Sequence, residues 1–518
     1  MPQEKFWKLE KIIMYMVIMA MPFTCLPKGV QVIAMGSVLS NLLIGIGLLV
    51  MMVEYYYYRF VVDRRFKYFI ILFLGWQIIS LAVGIIGYEY NECLTLNQFD
   101  KLQKILAFLS AKGIVLDELI MIKCWLFLRF SKDILLNSMS FAYVGLLVYH
   151  LYGKNFQRGF EDIRKGCLTL MCFMGCFSIF ELAWLKCGFA WAEAILKALN
   201  PMFLDIDGSH GWWPPILSIS GVRSLCSEPS FFGILCAFIL PFIWSYVFER
   251  RHTVFISLLL CYVNLMIAST NSRTAVAITL AQIILLLLYA ILVHQKKYVV
   301  PVLLICVVSM MGYGLNLVDW KSYTDKIFPA QTIAMESGKY YQIKTAAEFV
   351  DKNISTLGSV QARSNTQRVG SWGAYFNVAL EHPIVGTGRG MHTAYVDANI
   401  PDFAKDNHEI KRWHKLIQEQ GVFKSFYPEL NKFAGVAAQA GLVGLGIYLI
   451  PWLYVLKMIF CLPRKMLEDL RINMLLIALL GLIASQFSSP DMIYCSGIVI
   501  ALILCAVNQY LNKSSNSI

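Results

Sequence analysis

What this 518-residue chain lacks most is charge: Asp, Glu, Lys and Arg make up 15% of it, where water-soluble domains carry about 25%. That shortage excludes an ordinary soluble protein of this length. A phosphate loop of the form GxxxxGK[ST] is missing, which argues against ATP-driven work by this chain alone. The fourteen cysteines form no CxxC pair and no Cys/His spacing suited to a metal. Most of them (Cys172, Cys176, Cys236, Cys261, Cys306, Cys505) fall inside apolar runs, where a thiol behaves as a small hydrophobe. Alternation of polar and apolar residues over about 10 positions, the mark of a membrane β-barrel, is also absent. No internal repeat or low-complexity tract is found.

What is present is apolar length. Hydrophobic residues are 58% of the chain and the mean hydropathy is +0.59. Apolar runs of about 20 residues recur, enough to cross a hydrocarbon core of roughly 30 Å. The expected fold class is therefore an all-α polytopic integral membrane protein. The runs lie at 11–27, 31–53, 68–88, 104–128, 138–152, 165–188, 229–248, 253–269, 273–294, 298–318, 435–457, 472–487 and 491–508. Lysines 5, 8 and 11 precede the first run with no small-residue cleavage site, so it reads as an uncleaved span.

The net charge of +12 sits in short connections: Arg59, Arg64, Arg65 and Lys67; Arg250 and Arg251; Lys296 and Lys297; Arg464 and Lys465. That is the positive-inside bias of membrane proteins, not a nucleic-acid footprint. It places both termini inside and four segments outside: 89–103, 189–228, the 269–273 turn and the long loop 319–434. Thirteen crossings cannot leave both ends on one side. Asp117, Glu118 and Lys123 fit badly at mid-membrane, so either 104–137 is not a simple crossing or 138–152 lies in the interface. Twelve crossings are expected. The chain divides into a transmembrane bundle over 1–318, an outer loop over 319–434 and C-terminal membrane helices over 435–518.

A connection as long as 319–434 usually serves function. It holds four of the eight histidines (His382, His392, His408, His414), and the patterns at 341–350 and 372–380 look helical. A small folded cap is expected there.

Three basic sites fall on the outer side. The first is Arg223 with Glu228, around Pro229 at the start of a span. It reads either as an interfacial ion pair and helix start, capped by Ser227 or Ser230, or as an anion site with a carboxyl raised towards a general base. Arg223 could then fork onto a phosphate. The second is Arg273 after Asn271 and Ser272, which either snorkels or binds an anion. The third is Arg363 and Arg368, leading through Trp372 into Glu381-His-Pro-Ile-Val-Gly-Thr-Gly-Arg389-Gly390. Gly386, Gly388 and Gly390 permit tight turns, and exposed backbone N–H groups there could cradle an anion. The positively charged sites together suggest an anionic, phosphate-bearing lipid substrate.

These residues resemble the O-antigen polymerase and O-antigen ligase superfamily of bacterial surface-polysaccharide enzymes. The likeness rests on the arginine-EPS stretch 223–233, on Ser-Arg-Thr-Ala at 272–275, on Arg368 followed by Ser371-Trp372 and "ALEHPIVGTGRGM" (379–391), and on "AAQAGLVGLGIYL" (437–449). It covers about 190–460. The resemblance implies inverting glycosyl transfer without metal or cofactor, on the outer face of the bacterial cytoplasmic membrane, from a sugar chain on undecaprenyl diphosphate. Arg223, Arg273, Arg363, Arg368 and Arg389 would bind the diphosphate. Glu228, Arg273 and Arg368 would be catalytic, with His382, His392, Trp372 and Asn431 as further base or sugar contacts. Ligases of the superfamily carry a His-Asn pair before the glycine-leucine helix; here Asn431 is present and Leu430 takes the histidine position, leaving Glu429 or another loop histidine as a substitute. That departure favours a polymerase over a ligase, with a lipid-linked sugar flippase a distant third. A chain-length regulator and a flippase are the partners the family implies, besides membrane lipid.

Overall fold

The computed structural model describes residues 3–31, 35–207, 213–293, 296–327, 363–460, 468–488 and 493–515. It is a helical bundle. Helices α1 (Gln3–Ala20), α2 (Leu39–Tyr58) and α3 (Arg64–Ile86) are followed by a short α4 (Asp100–Ala111) and a long α5 (Glu118–Tyr152). Next come α6 (Phe156–Leu185), α7 (Ala190–Phe203), α8 (Pro229–Phe248), α9 (Thr253–Ser269), α10 (Arg273–Val293) and α11 (Lys296–Asn316). The loop expected as a cap contributes α12 (Trp320–Ile327), α13 (Arg363–Glu381), α14 (Thr393–Ala398) and α15 (His408–Gln420). The chain returns through α16 (Lys432–Phe460), α17 (Leu470–Ser485) and α18 (Ile493–Ser515).

Among the described residues nine of these helices are long and apolar enough to cross a membrane. Two shorter apolar helices, α9 and α17, lie among them. The ambiguous stretch 104–152 is divided between α4 and α5. The first part of the 104–128 run lies in α4, while its end and the whole 138–152 run belong to α5, which passes through a π-helical turn at Met139–Tyr143. Asp117 caps its start, accepting from the Ile120 N–H at 2.8 Å, so the awkward charges sit at a helix end and not at mid-membrane. The pattern 341–350 lies outside the described residues; 372–380 is helical, within α13.

Helix α8 is the centre of the bundle. Ninety-four per cent of its apolar window is buried, against 28% for the peripheral α3 and α16. The end of the bundle that carries the basic connections is fixed by two ion pairs. Lys11 of α1 meets Asp162 of α6 at 2.8 Å, and Arg164 of α6 meets Glu249, just past α8, at 2.9 Å. Because α8 spans 20 residues, its other end lies about 30 Å away at 1.5 Å per residue. The starts of α8, α10 and α16 gather at that opposite end.

The described part of the cap shares its core with the bundle. Ala374, Tyr375, Val378, Tyr395, Trp413 and Phe423 share one buried cluster with Leu81 and Ile85 of α3, Leu102 of α4 and Ile122, Leu126 and Phe130 of α5. Apolar area buried this way ties the loop to the bundle, so the cap is held in a fixed place over the helix ends.

Candidate active site

Helix α8 begins where Pro229 supplies a first-turn residue that needs no N–H partner. Glu228 holds the N-cap position in extended backbone, and its carboxylate accepts from the Ser230 hydroxyl. Helix α10 begins beside it. Ser272 caps α10 by accepting from the Ala275 N–H at 3.3 Å. The two helices touch at Gly233 and Ala275. A Cβ built on Gly233 would lie 2.1 Å from the Ala275 Cβ, so only glycine lets the two helix starts come this close. Both starts carry the partial positive end of a helix dipole.

Arg368 of α13 reaches this place from the cap. Its Nη1 donates to the hydroxyls of Thr274 (3.0 Å) and Ser488 (2.5 Å), which lie 3.0 Å from each other. The guanidinium feels the attraction of Glu228 and the repulsion of Arg273, so the fold brings together all three residues expected to be catalytic. Glu228, Ser230, Arg273, Thr274 and Arg368 are each half-buried, leaving the group open on one side. Burial pushes the Glu228 carboxyl above its ordinary pKa, opposed by the bonds from Ser230 and Trp213 and by Arg368. Burial also lowers the pKa of Arg368, with Glu228 acting the other way.

Arg223 stands elsewhere. It is 1% exposed, and its guanidinium donates to the carbonyls of Pro215 (2.8 Å), Ile216 (3.0 Å) and Ser227 (3.4 Å). Its backbone N–H and that of Ser224 donate to the Glu181 carboxylate of α6, at 3.3 and 2.7 Å. The structure thus gives Arg223 a bracing role in the loop before α8, in place of the ion pair with Glu228 that its position suggested. Arg363 opens α13, and its side chain lies outside the described residues.

A second polar group lies at the start of α16. Glu429 accepts from Gln439 Nε2 at 2.5 Å and Lys432 Nζ at 3.2 Å, and Arg389 Nη1 lies 3.5 Å away. Arg389 also donates to Gln439 Oε1 at 2.9 Å. Burial works to raise the Glu429 carboxyl, but Lys432, Arg389 and the Gln439 bond outweigh it and hold the group well below the usual range. His392 is buried nearby against the Tyr375 ring, and burial pushes its pKa down to about 4, so it is neutral at pH 7.

The segment 427–431 is laid along one face of α13. Tyr375 Oη donates to the Tyr427 carbonyl (2.8 Å), Ser371 to Pro428 (3.4 Å) and Trp372 Nε1 to Leu430 (2.9 Å). Trp372, expected as a sugar contact, spends its polar atom on this strap. Asn431 caps α16, accepting from the N–H groups of Phe433 and Ala434 at 3.0 and 3.1 Å.

The glycine-rich stretch after α13 does not form the anion cradle expected of it. Gly386, Gly388 and Gly390 do adopt positive φ, yet the N–H groups of Thr387 and Gly388 are taken by the carbonyls of Ala438 and Gln439, both at 2.9 Å. Those carbonyls are free because α16 is broken at Gly441 (φ 71°, ψ 179°). The Leu442 N–H closes the arrangement by donating to the Pro383 carbonyl at 2.7 Å, and Ser80 of α3 donates to both Val385 and Gln439. Two sequence motifs, 381–390 and 437–441, are therefore halves of one joint. His382 lines a cavity of about 270 Å³ beside the joint, with Glu89, Tyr395 and Pro383 to Thr387; its Nε2 lies 4.0 Å from Glu89.

Residues 254–449 match the family model of O-antigen ligases (Wzy_C). The match covers 196 of the 518 residues, so the likeness to O-antigen ligases is shown for that stretch. The match agrees with the resemblance to the O-antigen polymerase and ligase superfamily, and no curated protein matches the chain. The matched stretch includes Arg273, Arg368, the joint at Gly441 and Glu429. Glu228 precedes it and Ser488 follows it, so the site is completed by helices outside the matched stretch. Ser488, Thr274, Lys432 and Gln439 were not singled out from the sequence. Each is an ordinary polar residue at a helix end, and only its neighbours give it meaning.

Proposed function

We propose that the chain is a polysaccharide polymerase, joining oligosaccharide repeat units carried on undecaprenyl diphosphate by inverting, metal-independent glycosyl transfer. The reaction would run at the outer face of the bacterial cytoplasmic membrane, on the side away from the basic connections. The observation that carries this reading is the open group of Arg273, Arg368 and Glu228 at the starts of two helices. Two arginines and two helix N-termini favour a multiply charged anion, and a carboxyl raised by burial suits a proton acceptor near neutral pH.

In this reaction the lipid diphosphate lies across Arg273 and Arg368. The anomeric C–O bond to phosphate breaks as the acceptor oxygen bonds to the opposite face of the same carbon. Charge develops on the departing diphosphate, where fixed arginines act most strongly. Glu228 takes the acceptor hydroxyl proton. Arg389, Lys432 and Glu429 lie on the same cap-facing side and hold the start of α16, with His392 neutral among them. Arg363 would extend the basic path along α13. A chain-length regulator and a flippase are the expected partners.

A ligase reaction, delivering the finished chain to lipid A–core, is the second reading, favoured by the description of the matched family. Against it stands Leu430 at the position of the ligase histidine. One experiment tests both. In a host lacking this gene, core carrying a single repeat with no ladder supports the polymerase. Long chains accumulating on undecaprenyl diphosphate with none on core refute it in favour of the ligase. Arg273→Ala should reproduce the null profile at unchanged membrane abundance, and a wild-type ladder would remove Arg273 from the site.

A further inference from the structure

At the basic end of the bundle, about 30 Å from Glu228 by the length of α8, three helices bring together Glu10 (α1), Glu54 (α2) and His150 (α5). One ligand atom from each lies within 4.8 Å of the others. His150 Nε2 is 2.7 Å from Glu54 Oε2 and 3.6 Å from Glu10 Oε2. Both carboxylates are 3% exposed. Gln3 donates to Glu54 Oε1 at 3.2 Å, while Glu10 Oε1 is buried with no hydrogen-bond partner among the described residues. The Phe60 ring lies over His150, centroids 4.3 Å apart. The nearby basic side chains are engaged elsewhere: Lys11 with Asp162, and Arg65 with Asp63.

With both ionised, two carboxylates buried side by side need a compensating cation, since an uncompensated buried charge costs several kcal/mol. We propose that Glu10, Glu54 and His150 hold a divalent transition-metal ion, of the zinc type, which clamps α1, α2 and α5 together. A nitrogen with two carboxylate oxygens is a donor set for zinc or its neighbours and not for magnesium or calcium. Bonds of about 2.1 Å place two ligands of one ion some 3.3–4.2 Å apart; the 2.7–4.8 Å span here brackets that range, so small side-chain rotations complete the site. His150 keeps 18% of its side chain exposed, which leaves an edge for ion entry and a water as fourth ligand. The positions 10, 54 and 150 have no local spacing, so no sequence motif could announce them.

The test uses the full-length protein in detergent, stripped with chelator and titrated with Co²⁺ and Zn²⁺. One ion per chain is expected by elemental analysis. The Co²⁺ spectrum should show ligand-field bands without a thiolate charge-transfer band, and zinc should raise the melting temperature. Glu54→Gln and His150→Ala should each weaken binding at least tenfold. The proposal is overturned by a wild-type protein that retains no stoichiometric metal, by a thiolate band that assigns the ion to cysteine, or by variants that bind as the wild type does. If the pair shares a proton instead, the wild type binds no metal and Glu10→Gln raises the melting temperature. Because the wild-type stoichiometry decides the matter, a variant that fails to fold does not.

Discussion

Replacing Gly233 by alanine tests whether the crossing of α8 and α10 builds the site. The new Cβ would lie 2.1 Å from the Ala275 Cβ and 2.9 Å from its Cα, where apolar carbons need about 3.5–4.0 Å. The helices must part by about 1.5 Å, or one must rotate, and both are packed in the bundle core. Overpacking of this kind typically costs about 1–3 kcal/mol. The same shift moves Glu228, five residues before Gly233, away from Arg273 and Thr274, two and one residues before Ala275. A misplacement of about 1 Å at reacting groups can lower a rate roughly 100-fold. The control is Gly446→Ala in α16, where a Cβ meets nothing within 4 Å; removing glycine from an open helical position stabilises by about 0.4–1 kcal/mol. The assay pairs thermal unfolding of purified protein with the polysaccharide ladder of a complemented null host. Gly233→Ala should melt lower and shorten or erase the ladder, whereas Gly446→Ala should do neither. Equal behaviour of the two variants would refute the close-crossing account.

Arg368→Ala should lower polymer formation by about 10²–10³-fold, the usual loss for one donor to developing negative charge, and Arg368→Lys should not rescue it, because a single ammonium cannot span Thr274, Ser488 and the anion; the ladder assay reads both. The raised Glu228 pKa fixes the sign of the pH dependence: the carboxyl is protonated below that pKa, so turnover in membranes should fall as pH drops through it, and Glu228→Gln should be slow with that acidic limb lost. Gly441→Ala combines a backbone region that only glycine adopts readily, about 1–3 kcal/mol of strain, with a Cβ 2.0 Å from the Ile384 carbonyl oxygen; no folded protein should accumulate on a membrane immunoblot. Glu429→Gln removes the carboxylate between Arg389 and Lys432 and should destabilise by about 3–5 kcal/mol, read by thermal unfolding.

The sequence alone determined the solvent this chain folds in, because 58% hydrophobic residues and 15% charged ones leave no soluble alternative. It also marked one end of the bundle, because Lys and Arg crowd the connections there. Arg273, Arg368 and Glu228 were legible as candidates, since charge at the edge of an apolar run is costly and needs a reason. Which arginines stand open and which are sealed was not legible. Arg223 and Arg368 look alike in sequence, but one is sealed among carbonyls and the other opens beside Glu228. The glycines at 386, 388 and 390 carried the right backbone freedom and the wrong partner, because the broken helix that consumes their N–H groups is about 50 residues away. The stretch 104–137 stays ambiguous in sequence for a local reason: periodicity reports an apolar face but cannot tell lipid from the buried cluster that Ile122 and Leu126 enter. Joining distant residues is the work of tertiary packing, since contacts such as Arg368 with Ser488 and Glu10 with His150 leave no trace in local spacing.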